Sequence, residues 1–143
     1  MKVRNLLASK SGKVITVHRD QTVKEVIDIL AQKRIGALVV VDAQNKLTGI
    51  ISERDVVRLA STHGADAFAL RVGDVMTKNV VIGTPQDDVI AVAHTMTERR
   101  FRHLPILEGD ELIGMISIGD VMKAQRDAYQ GEIDTLQTHI LAE

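Results

Sequence analysis

The chain has 143 residues, 45% hydrophobic and 26% charged, enough for one compact domain or two small subdomains sharing a core. Eighteen basic residues against nineteen acidic give a net charge of −1, and only Phe68, Phe101 and Tyr129 are aromatic. That excludes the positive field and the stacking rings of a nucleic-acid surface, and the absence of cysteine removes disulfides, thiolate nucleophiles and most structural zinc sites.

The opening Met1–Lys13 lacks the apolar stretch of a secretory signal, and no run approaches the length of a membrane span, so a cytosolic protein is the default expectation. Val14–Val17 reads as a short strand. Thr22 then opens a helix, with Glu25 three residues on as in a capping box and Val23, Val26, Ile27 and Leu30 on one face. Ala37–Asp42 is a β-branched run suited to a buried strand, 43–46 a turn, and Leu47–Ser52 a second strand hairpinned back onto it. A helix follows from Arg54.

After a connector over 61–79 the same order of signals returns. Val80–Ile82 reads as a strand, Val89, Val92, Ala93 and Met96 as a helical face, His103–Leu107 and Leu112–Ser117 as paired strands. The expected fold is therefore α/β (α+β): two βαββα repeats at 14–60 and 80–123, preceded by an N-terminal segment at 1–13. Neither repeat is large enough to bury its own sheet and helices, so the two are expected to pack with pseudo-twofold symmetry.

Residues 124–143 extend beyond the second repeat as a helix, with Tyr129, Ile133, Leu136 and Ile140 at heptad-like steps. Gly131 weakens that helix by about 1 kcal/mol relative to alanine. Two readings stay open: a helix lying back on its own domain, or a dimerisation helix.

Each repeat ends in the same pattern, GIISERDVV at 49–57 and GMISIGDVM at 114–122. Ser52 and Ser117 sit where an N-cap belongs, and Asp55 and Asp120 in the first helical turn favour the helix dipole. Capping boxes prefer the longer Glu or Gln at this position, and aspartate is expected to reach back poorly. Free amides and a carboxylate presented together at a strand end would also suit an anion or a sugar, and the two roles are compatible.

A second constellation is Arg99, Arg100, Arg102 and His103, where the first repeat carries Lys33, Arg34, Gly36 and Ala37. Charges at a helix C-terminus explain the first two. Arg102 and His103 replace a Gly-Ala pair at a strand start and are the better candidates for holding an anion. The free positions differ as well, Glu53 and Arg54 in one motif against Ile118 and Gly119 in the other. The five histidines are scattered without ligand spacing, and no phosphate-binding glycine loop appears, so neither a metal site nor catalysis is expected.

The doubled βαββα unit, the two G-h-h-S-x-x-D-h endings and FRHLPI at 101–106 resemble a tandem CBS-domain pair, named after cystathionine β-synthase. IGALVVVD, SERDVVR, VMTKNVV and TERRFRHLP are most similar to small stand-alone CBS-pair proteins. The resemblance implies a regulatory module whose inter-repeat clefts bind AMP, ADP or ATP, and in some members NAD(H) or S-adenosylmethionine, without catalysis. It implies that Asp55 and Asp120 accept from ribose hydroxyls, with Ser52 and Ser117 on ribose or phosphate and Arg102 and His103 on phosphate. Pro105, Arg54 and Gly119 accompany these motifs in the expected binding set. Thr16 is a candidate at the first cleft, Ala37 and Leu38 offer backbone and apolar contact, and Ile82 would pack on adenine. The two clefts are expected to differ in affinity or ligand. A homodimer signalling to an unknown target protein is implied as partner, with no nucleic acid and no membrane. The alternative is an interaction module with empty clefts, working through its C-terminal helix.

Overall fold

A computed structural model describes residues 1–10 and 13–142, with side chains described to residue 131. The elements are α1 (Val3–Ser9), β1 (Thr16–His18), α2 (Val23–Lys33), β2 (Ala37–Val41), β3 (Leu47–Ser52) and α3 (Glu53–His63). A 3-10 turn (Gly64–Ala69) leads to α4 (Val72–Val75), then α5 (Val89–Arg99), β4 (His103–Glu108), β5 (Glu111–Ser117) and α6 (Ile118–Ala142). The heptad positions Ile133, Leu136 and Ile140 fall outside the described side chains.

In the first half β1 runs parallel to β2, and β2 pairs antiparallel with β3. All five residues of β2 are buried, as its unbroken β-branched pattern requires. The second half differs. Val80–Ile82, expected as a strand, is not one; a single parallel bridge joins Gly83 to Ile106, beside the antiparallel pair β4 and β5. Gly83 N–H donates to the Pro105 carbonyl and Leu107 N–H donates to the Gly83 carbonyl, both at 2.9 Å. The next rung would need an N–H from residue 105. Proline has none, so the ladder stops, whereas Val39 at the equivalent place in β2 lets β1 form.

At the start of α2 the cap forms but the box expected from the sequence does not close. Thr22 Oγ1 accepts from Glu25 N–H at 3.3 Å, but the Glu25 carboxylate accepts from Gln21 Nε2 at 2.8 Å instead of reaching back to the cap. Helices α2 and α5 end alike, on Arg34 and Arg100 in the left-handed region at φ 54° and 56°.

Among the described residues the core forms two clusters, each completed by a segment outside its own repeat. Val17, Val26, Leu38, Val40 and Ile51 of the first half take in Val72 and Met76 from the connector. Val89, Val92, Met96, Ile106, Ile116 and Val121 of the second half take in Val3 and Leu6 from α1. Each incoming segment is pinned to the start of a long helix. Val3 N–H donates to Asp87 O at 2.8 Å and Val89 N–H to Met1 O at 3.0 Å; Val72 N–H donates to Gln21 O at 2.8 Å and Val23 N–H to Leu70 O at 2.9 Å. The N-terminal segment thus completes the core of the second repeat, and the connector that of the first.

Candidate functional site

Between the halves lies a cleft of about 930 Å3. The N-terminal segment contributes Lys10 and Lys13, the first repeat Val14, Ile15, Lys33, Arg34, Gly36, Ala37 and Glu53, and the second Arg102, His103, Ser117, Ile118 and Asp120. Five fixed cations, Lys10, Lys13, Lys33, Arg34 and Arg102, face two carboxylates, Glu53 and Asp120. Apolar surface from Leu7, Ile15, Ile113 and Ile118 completes the wall, so the cleft offers a flat apolar group and an anion each a suitable side.

Local rules position the polar corner. Ser117 ends β5 opposite His103, the first residue of β4, and the chain passes directly into α6. Ser117 N–H donates to Asp120 Oδ2 at 2.8 Å, and Asp120 N–H donates to Ser117 Oγ at 3.1 Å. The first repeat copies this, with Ser52 N–H to Asp55 Oδ2 at 2.9 Å and Asp55 N–H to Ser52 Oγ at 3.2 Å. The expectation that aspartate reaches back poorly is therefore corrected. Ser52 is extended at φ −116° and ψ 166°, which turns its N–H onto the first helical turn and shortens the span that the carboxylate must cross. In both motifs the bonds to protein fall on Oδ2, and Oδ1 accepts none among the described residues.

Lys10 Nζ donates to Asp120 Oδ2 and to the Met115 carbonyl, each at 2.8 Å. Burial by itself would raise the Asp120 carboxyl; the Lys10 ammonium and the Ser117 N–H outweigh it and hold the group below the usual aspartate range. His103 moves in the direction burial dictates. Desolvation of the ring lowers it below the ordinary histidine value, against the pull of Glu53 and with the help of Lys10. The ring sits beside Gly36: a β-carbon there would lie 3.1 Å from His103 Nε2 and 3.4 Å from Glu53 Oε1.

Of the residues singled out in sequence, this cleft brings together Ala37, Arg102, His103, Ser117 and Asp120. Gly119 is exposed on α6 beside them. Leu38 is fully buried in the first core, and Pro105 is buried within β4. Thr16 is half-buried in β1, paired with Val39. Ile82 is 45% exposed and borders a separate hollow of about 270 Å3 with Phe101 and Leu104. Ser52 and Asp55 are half-buried and Arg54 exposed, and none of the three lines the large cleft.

The binding set expected from sequence lacks Lys10, Lys13, Gly36 and Glu53. Sequence places Glu53 in the first repeat's motif, yet it stands beside His103 of the second. Each helix start is bonded within its own repeat, Glu53 N–H donating to the Gly36 carbonyl at 2.9 Å and Ile118 N–H to the Arg102 carbonyl at 2.8 Å, and both starts line the cleft.

The family model for the CBS domain matches twice, over residues 3–62 and 72–127. The chain is 35% identical over 136 residues to the CBS domain-containing protein CBSX3, mitochondrial, of Arabidopsis thaliana, covering 92% of this chain and 66% of that protein. Its fold superposes on the CBS-domain protein ATU1752 of Agrobacterium tumefaciens with a TM-score of 0.84 and 40% identity, over 87% of this chain and 92% of the other. Two structures at 24% identity share the fold and carry ligands. PAE2072 of Pyrobaculum aerophilum, solved with AMP, superposes at 0.73 over 84% of this chain and 89% of its own; the MJ0100 domain pair, solved with 5-methylthioadenosine and S-adenosyl-L-methionine, superposes at 0.78 over 90% and 98%. Two matched repeats spanning most of the chain, on a fold shared with solved members, show that the protein belongs to the CBS domain family.

Proposed function

We propose that this CBS pair is a regulatory module that binds an adenine nucleotide in the cleft between its repeats and reports occupancy to a partner protein without catalysing a reaction. The observation that carries the reading is the convergence, in one cleft of about 930 Å3, of the Ser117–Asp120 corner with Arg102, His103 and four further cations. A ribose has two neighbouring hydroxyls that can donate to one carboxylate, and Asp120 Oδ1 accepts no bond among the described residues, which supports that role. Arg102 and the lysines supply charge for phosphate, and Leu7, Ile15 and Ile118 supply an apolar face for the base.

AMP, ADP or ATP fit this charge balance best, with NAD(H) as a larger relative of the same chemistry. The family neighbours solved with adenosine ligands agree in class. Val57, Ile90 and Met122 on α3, α5 and α6 are each more than 60% exposed, which supports a homodimer through helical faces. Light scattering in solution measures that mass directly.

A thermal-shift series with AMP, ADP, ATP and NADH tests the reading, because ligand at 100 times Kd adds about 2.7 kcal/mol of stability. Asp120→Ala should weaken the responding ligand about 10- to 150-fold by calorimetry, the value of one hydrogen bond to a charged group. No shift with any adenylate would leave the interaction-module reading in its place.

A further inference from the structure

The repeat alignment, continued toward the N-terminus, pairs Lys10 with Met76 and Met115 with Ile50. The two corners are built differently. Met76 is 8% exposed and packs on Gly49, and the next residue, Thr77, exchanges backbone hydrogen bonds with Ile50 at 3.0 and 2.9 Å. A backbone N–H thereby takes the Ile50 carbonyl, the counterpart of the Met115 carbonyl. At the other corner a charged side chain takes that place: Lys10 Nζ bonds the Met115 carbonyl and Asp120 Oδ2.

Lys10 therefore holds the carboxylate that the adenylate reading assigns to ribose, and the inference rests on that reading. Its backbone is anchored, Lys10 N–H donating to Leu7 O at 3.2 Å, while its side chain is 40% exposed. A neutral nucleoside approaching Asp120 must compete with an ammonium and offers it no new partner. A nucleotide offers a phosphate, toward which the displaced ammonium turns within the same cleft.

We propose that Lys10 is the specificity-determining residue of the cleft, pairing with Asp120 when the cleft is empty and with the ligand's phosphate when it is full, so that anionic adenylates are selected over uncharged adenosine derivatives. Met76, its counterpart, has no charge to exchange, which makes the selection a property of one corner only.

The test is a calorimetric comparison of AMP and adenosine on the full chain, as wild type, Lys10→Met and Lys10→Arg. Lys10→Met should weaken AMP at least tenfold and strengthen adenosine, so that the adenosine-to-AMP ratio of Kd values falls more than tenfold; Lys10→Arg should keep it. The salt dependence of AMP binding should shrink in Lys10→Met alone. Both ligands are measured on the same protein, so the ratio does not depend on a loss of folded fraction, which circular dichroism reports separately. An unchanged ratio with AMP binding intact overturns the role of Lys10 and leaves the adenylate reading standing. Absence of binding by both ligands to wild type and to Lys10→Met overturns the reading itself, and this inference with it.

Discussion

Gly49 lies beneath Met76, so close that a β-carbon on the glycine would fall 2.5 Å from the Met76 sulfur and 2.9 Å from the Thr77 carbonyl oxygen. Its repeat partner Gly114 meets only the end of Leu7, at 2.5 Å from Cδ2 and 3.3 Å or more from the next atoms. The glycine of the repeated motif is thus the point where each hairpin admits the segment that completes its core. Gly49→Ala collides with backbone as well as side chain, and should destabilise by about 1–3 kcal/mol. Gly114→Ala can be relieved by a rotation of Leu7 and should cost less. Urea denaturation of the two variants measures the difference, and equal losses would contradict it.

Arg100 ends α5 at φ 56°, a conformation that costs a side-chain-bearing residue roughly 1–2 kcal/mol, and it lies outside the cleft. Arg100→Gly removes that strain while adding about 0.5–1 kcal/mol of unfolded-chain entropy. A net gain of several tenths of a kcal/mol up to about 1 is expected, read as a melting temperature about 2–4 °C higher. A fall in melting temperature would show that the Arg100 side chain holds more than its backbone conformation costs.

His103 titrates below the ordinary histidine value because its ring is buried, with Glu53 opposing and Lys10 adding to the shift. A histidine depressed in the folded state gives stability that is complete only well above the ordinary value of about 6.5, where both states are neutral. As pH falls, the unfolded chain takes the proton first, and the contribution is lost through the lower folded value. Stability should therefore decline as pH falls through the ordinary histidine value of about 6.5, and His103→Gln should flatten that decline. Identical pH slopes for the two proteins would remove His103 as its cause.

Much of the fold was legible because the repeat is local chemistry written twice. Apolar spacing at Val23, Val26 and Leu30 and again at Val89, Val92 and Met96 marks α2 and α5, and these residues are buried. The Ser-x-x-Asp endings mark the starts of α3 and α6, where capping bonds form. The missing strand before α5 was foreshadowed by Pro105, but a proline removes a bond only in the neighbour that needs its N–H. That neighbour is known only once the parallel register is known.

By itself the sequence determined the duplication, the element order and the identity of the Ser–Asp corners, since each depends on residues within a few positions of one another. Tertiary structure alone decided which half each corner works with. Lys10 meets Asp120 across 110 residues, and Glu53 stands beside His103, because each lead-in segment packs into the core of the other half. Periodicity carries no information on that exchange. It follows from the close packing of two cores, neither of which can be filled by its own repeat.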